Sequence, residues 1–187
     1  MQVFGKFLYL MGCSGSGKTM LAKNLESFDG EYFSNILETT TRKPRTDEEN
    51  GKDYIFLTDE EFDRISPFMF ETVEYQYLPS RYGAEGSRVS RTKWNIVVAS
   101  IEGLLSGLRN TILNQSEIVV FNIINDDSLD IERAGRDFLA EERINKAVLN
   151  NIGFRHEFKY YEMKLSKLKE IRNDKEKLIE YFKSICK

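Results

Sequence analysis

The sequence has few of the residue types that mark several common classes of protein. Its 187 residues include one histidine and two cysteines. Cys13 lies in a glycine-rich segment and Cys186 near the far end of the chain, so the two form neither a disulfide framework nor a CxxC metal site. The single histidine, His156, stands among charged residues, which favours a solvated surface position over a catalytic role.

Long apolar runs and an excess of one charge are also missing. No apolar stretch approaches the roughly eighteen residues that a membrane span requires. The segment after Met1 lacks the basic region, long apolar core and cleavage site of a secretory signal. We therefore expect a soluble, cytoplasmic protein with no membrane partner. The net charge of −3 gives no global positive field for nucleic acid, so any anion must be bound locally.

Short apolar runs that alternate with helical segments predict the centre of the fold. Three runs predict buried parallel strands, at residues 6–11, 94–99 and 118–124. Two segments have helical character, at residues 19–28 and 104–113. This alternation predicts an α/β fold in which a parallel sheet forms the middle of three layers.

The length of the chain favours one domain, within which composition distinguishes three parts. We assign the core to residues 1–34, 83–124 and 152–187. Residues 35–82 combine short aromatic runs, polar turns and a small helix near residues 59–65, which predicts an inserted, mostly antiparallel subdomain. Residues 125–151 are rich in Asp, Glu and Arg, which favours a mobile lid. Residues 165–185 predict one amphipathic closing helix.

The strongest motif stands between the first predicted strand and the first predicted helix. It is Gly12-Cys13-Ser14-Gly15-Ser16-Gly17-Lys18-Thr19, which fits the phosphate-loop pattern GxxxxGK[ST]. Glycines allow backbone N–H groups to point inward at the positive end of a helix, where nucleotide phosphates are favoured. Lys18 would reach the terminal phosphates, and Thr19 would offer its hydroxyl to Mg²⁺. The motif predicts ATP with Mg²⁺ as phosphoryl donor and leaves the acceptor open.

The second motif is an arginine-rich turn, Thr39-Thr40-Thr41-Arg42-Lys43-Pro44-Arg45. Its two arginines are three residues apart and flank a proline that restricts the turn, so both guanidinium groups are expected to converge on one small dianion. Tyr54 adds a phenolic donor nearby in sequence. A basic turn of this kind is, on its own, more typical of a solvated loop.

These two motifs and the residues after them resemble the guanylate kinase family. The family pattern is approximately TTRxPRxGExxGxDYxF, then an apolar residue followed by Glu, then Tyr-Gly. The chain matches it at Thr40, Thr41, Arg42, Pro44, Arg45, Glu48, Gly51, Asp53, Tyr54, Phe56, Phe70, Glu71, Tyr82 and Gly83. The resemblance is dense from residue 7 to about residue 103 and fades afterwards.

The resemblance implies an ATP-dependent kinase that phosphorylates GMP or dGMP. It implies that the GMP phosphate is gripped by Arg42, Arg45, Tyr54 and Tyr82, and the guanine edge by Thr39 and Glu71. A carboxylate at Glu71 would accept both the N1–H and the 2-amino group of guanine, a pair that adenine lacks. For Glu71 the alternative is an ordinary exposed strand residue.

The expected reaction is an in-line attack of the GMP phosphate on the γ-phosphoryl group of ATP. Positioning and charge neutralisation supply most of the catalysis in such transfers, and Lys18 and Arg42 are the expected contributors here. In the family, lid arginines cover the transferring group, and the candidates in this chain are Arg133, Arg136 and Arg143. For each of these, the alternative is an arginine that only keeps the lid soluble.

The chain departs from the family pattern after the strand at residues 94–99. The family carries an acidic DxD pair there, where this chain has Val98 and Ser100, and Glu102 stands where glutamine is usual. With Val98 in place of the first acid, no carboxylate at that position orients the water shell of Mg²⁺. We expect Glu102 to supply a displaced carboxylate. Asp47 and Ala84 also differ from the usual family residues.

Two other functions remain open at this point. One is a kinase of the same fold that acts on another nucleoside monophosphate or on a sugar phosphate. The other is a guanylate-kinase-like binding module that recognises GMP or a phosphorylated peptide without catalysis. The missing acidic pair favours the binding module, whereas the intact Lys18 and Thr19 favour an enzyme. For the leading prediction, the kinase of GMP or dGMP, we expect ATP and GMP or dGMP as partners and a monomer or homodimer.

Overall fold

The computed structural model describes residues 5–13, 15–75, 80–110, 113, 116–126, 146–149, 151 and 158–187. Its strands are β1 (Lys6–Gly12), β2 (Phe33–Asn35), β3 (Thr39–Thr40), β4 (Ile55–Phe56), β5 (Met69–Tyr75), β6 (Ser80–Glu85), β7 (Trp94–Val98), β8 (Glu117–Ile124) and β9 (Lys159–Lys164). Its labelled helices are α1 (Lys18–Phe28), α2 (Asp59–Ile65), α3 (Ile101–Leu108), α4 (Leu165–Ile171) and α5 (Lys175–Ile185). Residues 146–149 are also helical, and 3₁₀ turns lie at Ser66–Phe68 and Gly86–Arg88.

A parallel sheet with the strand order β2-β7-β1-β8-β9 forms the centre of the molecule. Alternate residues of β1 point to opposite faces, as the twofold periodicity of a strand requires. Leu8 and Leu10 pack in one core cluster with Leu21 of α1 and Phe182 of α5, whereas Tyr9 packs in a second cluster. The second cluster also contains buried residues of α3. The prediction of an α/β fold with a parallel central sheet is therefore confirmed.

A smaller sheet contains the strands between the arginine-rich turn and residue 85. Its order is β4-β3-β6-β5, with β3 and β4 parallel and the other neighbours antiparallel. The helix predicted near residues 59–65 is present as α2, where Thr58 and Glu61 form a reciprocal capping box. The proposed subdomain boundary after residue 82 stays a prediction, and β6 continues to Glu85.

The single closing helix predicted for residues 165–185 is wrong, because two helices occupy this stretch. The first, α4, ends at Ile171, and the second, α5, begins at Lys175. The Asp174 side chain accepts a hydrogen bond from the backbone N–H of Lys177 and so caps α5. Such an N-cap starts a new helix by satisfying one of its free donors. Both helices bury apolar residues against the sheet.

Most of the predicted lid, residues 125–151, lies outside the described residues, and so do Arg133, Arg136 and Arg143. The lid and the roles of these arginines therefore stay predictions. Within the part of the chain that the structure describes, no helix has the length and apolar character needed to cross a membrane.

Candidate active site

The phosphate loop joins the end of β1 to the start of α1. Gly12 has a φ angle of 136°, and a Cβ atom there would lie 2.7 Å from the carbonyl oxygen of Ile123 on β8. Gly17, with a φ of 85°, caps α1 in the left-handed conformation. Both positions favour glycine, because L side chains rarely adopt such φ angles. The loop thereby leads into an eleven-residue helix whose first N–H groups form an anion site.

Lys18 and two hydroxyl groups line this loop. The Lys18 ammonium donates hydrogen bonds to the carbonyl oxygens of Gly12 at 2.7 Å and Cys13 at 2.8 Å. Ser16 Oγ is buried, and no described residue forms a hydrogen bond with it. Thr19 is exposed in the first turn of α1. The loop thus offers a cation and two hydroxyls to an anion, while Ser14 lies outside the described residues.

Arg42 is the centre of the arginine-rich cluster. Its Nη1 and Nη2 atoms donate to the two carboxylate oxygens of Glu48, each at 2.9 Å, and its Nε donates to the Tyr82 hydroxyl at 3.1 Å. Its guanidinium carbon lies 5.3 Å from the centroid of the Tyr54 ring. Burial disfavours the charged form, but the hydrogen bonds to Glu48 and Tyr82 outweigh it and raise the pKa of Arg42. Arg42 is therefore a fixed cation with a fixed orientation.

Arg45 approaches the same carboxylate from the solvent side. Its Nη1 lies 3.8 Å from Glu48 Oε1, and its backbone N–H donates to Glu48 Oε2 at 2.8 Å. The Arg45 side chain is 73% exposed, compared with 17% for Arg42. The hydrogen bonds from Arg42 lower the pKa of Glu48, despite the opposing effect of burial. The two arginines therefore converge on one anion, which in this structure is the Glu48 carboxylate.

Glu71 lies on β5 and points into the protein. The residue is only 3% exposed, so the alternative of an ordinary exposed strand residue is wrong. Its Oε2 accepts a hydrogen bond from the Tyr9 hydroxyl at 2.9 Å. Burial raises the pKa of Glu71 to about 7, although the hydrogen bond from Tyr9 acts in the opposite direction. Burial and then the charge of Glu71 raise the pKa of Tyr9, so the phenol stays protonated at neutral pH.

One cleft joins the phosphate loop to the smaller sheet. Its lining includes Thr19 of α1, Val98 at the end of β7, Glu38 just before β3, and Tyr54 just before β4. Burial and then the charge of Glu71 raise the pKa of Glu38 well above its usual range, whereas Lys18 acts in the opposite direction. Burial and then the charge of Glu38 raise the pKa of Tyr54. Thr19 of the phosphate-loop motif and Tyr54, whose ring packs against Arg42, therefore line the same cleft.

An ion pair closes one side of this cleft. Lys23 Nζ of α1 lies 2.5 Å from Asp53 Oδ1, while Asp53 Oδ2 accepts the backbone N–H of Glu49 at 2.9 Å. The hydrogen bond from Lys23 is the main cause of the lowered pKa of Asp53. Both oxygens of Asp53 therefore accept hydrogen bonds. The ion pair connects α1 to the loop before β4.

The remaining predicted residues lie in different settings. Thr39 on β3 is fully buried, and its hydroxyl forms no hydrogen bond with any described residue. Glu102 is exposed in the first turn of α3 and does not line the cleft that contains Thr19. Its assignment as a displaced metal carboxylate stays a prediction.

The sequence alone does not predict a role for three residues of the site. Tyr9 falls within a predicted buried strand, and Glu38 directly precedes the arginine-rich turn. Glu48 matches the family pattern, but the sequence does not indicate its partner. The signals in the sequence are a phenol inside an apolar strand, an acid directly before Thr39, and an acid three residues after Arg45.

The chain is similar in sequence to known guanylate kinases. The family model described as Guanylate kinase matches residues 5–162. Guanylate kinase of Fusobacterium nucleatum is 26% identical over 152 residues, which are 79% of this chain and 80% of that protein. Guanylate kinase of Aster yellows witches'-broom phytoplasma is 45% identical over 60 residues, a segment that spans only 28% of that protein and 32% of this chain.

A solved structure shows the same fold. The crystal structure of guanylate kinase from Anaplasma phagocytophilum matches with a TM-score of 0.61 over 97% of this chain and 86% of that chain. The sequences are 17% identical, so this likeness supports the fold alone.

Proposed function

Because the chain belongs to the guanylate kinase family, we propose that it catalyses the ATP-dependent phosphorylation of GMP or dGMP. The shared cleft is the observation that carries this proposal. Thr19 from the phosphate-loop helix and Tyr54 from the acceptor side line one space, as a direct transfer between two bound nucleotides requires. The phytoplasma relatives match over a short segment only, so activity and substrate are inferred from the family and from this site together.

The donor half of the proposed site is the phosphate loop, Gly12 to Thr19. We assign ATP binding to its backbone and to Lys18, which now donates to two loop carbonyls and would exchange them for phosphate oxygens. The buried Ser16 hydroxyl would gain the hydrogen-bond partner that the described residues do not supply. Ser14 completes the proposed loop by its place in the motif.

The residues of the cleft fit Mg²⁺ bound together with ATP. Mg²⁺ keeps several waters and binds through nucleotide phosphates with few protein ligands. The described residues contain no group of three His, Cys, Asp or Glu side chains that would enclose a metal. The exposed Thr19 hydroxyl supplies one oxygen ligand of the kind that Mg²⁺ prefers. When bound, the ion would neutralise charge on the phosphates.

The acceptor half of the proposed site is the arginine cluster with the buried Glu71. Arg42, Arg45, Tyr54 and Tyr82 would bind the GMP phosphate, which would share or displace the Glu48 carboxylate that now holds both arginines. Glu71 and Thr39 would read guanine. Because both are almost fully buried, we expect the smaller sheet to shift when the base enters.

The proposed transfer needs no covalent intermediate. A phosphate oxygen of GMP forms a bond to the γ-phosphorus of ATP while the bond from that phosphorus to the β,γ-bridging oxygen breaks, and the electron pair leaves with ADP. Lys18 and Arg42 would stabilise the charge of the transferring group from its two sides. Arg133, Arg136 and Arg143, in the proposed lid, would cover the transferring group.

The cytoplasmic location of the protein and its state as a monomer or homodimer also stay predictions.

A coupled assay tests this function directly. Purified protein with ATP and Mg²⁺ is offered each nucleoside monophosphate and deoxynucleoside monophosphate in turn, with ribose phosphates as further acceptors, and ADP release is measured. The matched control is Lys18→Ala, which keeps the loop backbone and removes the cation. We expect release with GMP and dGMP, and a loss of at least about a hundredfold in the control, since this lysine serves the transferring group.

The same assay separates the two alternatives. Lys18-dependent release with another acceptor but not with GMP would overturn the acceptor assignment while keeping the kinase. Measurable GMP binding with no ADP release for any acceptor would overturn the enzyme and indicate the binding module.

A further inference from the structure

The end of β7 presents no carboxylate to the cleft. Val98 and Ser100 stand where the family carries its acidic pair, and Val98 lines the same cleft as Thr19, the proposed magnesium ligand. A hydroxyl and the nucleotide phosphates alone would leave the water shell of the ion without a protein anion to orient it.

A carboxylate reaches the same place from the neighbouring strand. β2 runs parallel to β7 with Asn35 opposite Ile96, and the backbone N–H of Ile36 continues this pairing by donating to the Ile96 carbonyl at 2.9 Å. Two residues further along, Glu38 lies in the cleft with Val98 and Thr19. Parallel strands end at the same edge of a sheet, so a side chain that follows β2 can take the place of one at the end of β7.

Two other acids near the cleft already have hydrogen-bond partners, and Glu102, the other candidate for this role, does not line the cleft. Asp53 binds Lys23 and the Glu49 backbone with both oxygens. Glu71 is buried and bonded to Tyr9. By contrast, no described residue forms a hydrogen bond or ion pair with the Glu38 carboxylate, which is half-buried at the cleft wall. Burial and then the charge of Glu71 raise the pKa of this carboxyl, whereas the charge of Lys18 lowers it, and a bound Mg²⁺ ion would likewise favour the ionised form.

We propose that Glu38 replaces the missing β7 acid and orients the water shell of the magnesium ion bound with the nucleotide. The inference rests on the proposed kinase function and deepens it. The carboxylate would act through water rather than as a direct ligand, because Mg²⁺ retains several waters in such sites. In this arrangement the acid follows β2 and does not stand at the end of β7.

Binding of ADP with and without Mg²⁺ tests the proposal without relying on catalysis. Isothermal titration calorimetry with ADP is run in EDTA and in excess Mg²⁺ for the wild type and for Glu38→Gln, which keeps size and removes charge. Glu31→Gln, an exposed residue after α1, is the charge-matched control. A double variant, Glu38→Gln with Val98→Asp, returns the acid to β7. Circular dichroism confirms that each variant is folded.

We expect Mg²⁺ to tighten ADP binding in the wild type and in Glu31→Gln. In Glu38→Gln this enhancement should fall by about tenfold, the usual effect of losing a group that orients metal ligands, while affinity in EDTA stays unchanged. The double variant should regain most of the enhancement.

Two results would overturn the inference. The first is a full Mg²⁺ effect in Glu38→Gln; a GMP titration of the same variant that shows weakened binding would then place the carboxylate on the acceptor side. A double variant that stays as weak as Glu38→Gln would reject the replacement of the β7 acid. If ADP fails to bind the wild type in either condition, the proposed kinase function itself fails, which distinguishes the two cases.

Discussion

The Tyr9 hydroxyl donates a hydrogen bond of 2.9 Å to Glu71, and both groups are buried. Tyr9 lies on β1, three residues before the phosphate loop begins, whereas Glu71 lies on β5 of the smaller sheet. This contact ties the strand that bears the donor loop to the carboxylate proposed to read guanine. It also supplies a buried carboxyl group with the donor it needs.

Removal of the Tyr9 hydroxyl should weaken both folding and GMP binding. In Tyr9→Phe, Glu71 stays buried without its donor, so we expect a loss of about 1–3 kcal/mol in the free energy of unfolding. The KM for GMP should rise several-fold because the carboxylate loses its fixed position, and the KM for ATP should stay unchanged. Urea denaturation and steady-state kinetics measure the two effects.

Tyr181→Phe serves as the matched control for this change. Tyr181 lies on α5 and is partly buried against the core cluster on the opposite face of the sheet from Tyr9, so both KM values should remain those of the wild type. An equal rise in the KM values for ATP and GMP in Tyr9→Phe would contradict the prediction, because it would indicate a general disturbance of β1.

Glu71→Gln should stabilise the folded protein above neutral pH while it weakens GMP binding. Burial raises the pKa of Glu71 to about 7, so the folded state holds a proton that the unfolded chain releases at lower pH. The Glu71 carboxyl therefore lowers the free energy of unfolding progressively as the pH rises from about 4.5 to about 7. Glutamine does not ionise, and its advantage should reach about 1–3 kcal/mol at pH 8.

Guanidinium denaturation of both proteins between pH 4.5 and pH 8 measures this difference, in which the titration of groups that Glu71 does not influence cancels. GMP affinity gives an independent readout. In the wild type it should increase as the pH rises through about 7, because ionised Glu71 accepts both guanine donors, and in Glu71→Gln it should be weak and without that step. A stability difference that does not change with pH would show that Glu71 is not held protonated.

Gly103 and Gly107 on α3 should respond differently to alanine. A Cβ at Gly103 would lie 2.7 Å from Glu71 Oε1, so the carboxylate must move, and we expect the KM for GMP to rise about tenfold, equivalent to about 1.4 kcal/mol. The free energy of unfolding should change little, because the preference of the helix for alanine, about 0.5–1 kcal/mol, offsets the cost of moving the carboxylate. Kinetics and thermal unfolding test Gly103→Ala together.

Gly107→Ala is the comparison on the same helix. Its Cβ would lie 2.5 Å from the Leu113 side chain and 2.9 Å from the Tyr9 hydroxyl. This overpacks the core and should cost about 1–3 kcal/mol of stability. If Gly103→Ala proves as destabilising as Gly107→Ala, with no selective effect on GMP, the close approach of Gly103 to Glu71 has no functional meaning.

Local patterns in the sequence predict the parts of the fold that depend on near neighbours. The phosphate loop follows from its glycines and flanking apolar runs, and Gly12 and Gly17 adopt the positive φ angles that favour glycine. The small helix α2 follows from its capping residues. The apolar spacing of residues 165–185 does not predict the break between α4 and α5, although Asp174 at that break is a typical helix N-cap residue.

Contacts between distant strands are not visible in such patterns. Tyr9 fits an apolar strand equally well as a core aromatic, and only the packing of β5 under α3 reveals its carboxylate partner. The position of Glu38 beside Val98 depends on β2 pairing with β7, which is remote in sequence. The sequence does not indicate which of these residues lie close together, because that depends on the order of the strands in the sheets.

The Arg42–Glu48 pair gives a last prediction about the acceptor site. Two parallel hydrogen bonds of 2.9 Å fix the guanidinium, and a third reaches Tyr82 at 3.1 Å. Lysine keeps the charge but has no planar fork. Arg42→Lys should therefore lower kcat/KM for GMP by about 10- to 100-fold, since a hydrogen bond to a charged group contributes about 1.5–3 kcal/mol.

The KM for ATP should not change in Arg42→Lys, because the phosphate loop is built from other residues. Arg64→Lys is the control, since Arg64 is exposed on α2 and, among the described residues, bonds only within its own helix; it should behave as the wild type. Full activity in Arg42→Lys would mean that charge alone suffices at this position. The bidentate contact with Glu48 would then serve the fold of the turn rather than the orientation of the acceptor phosphate.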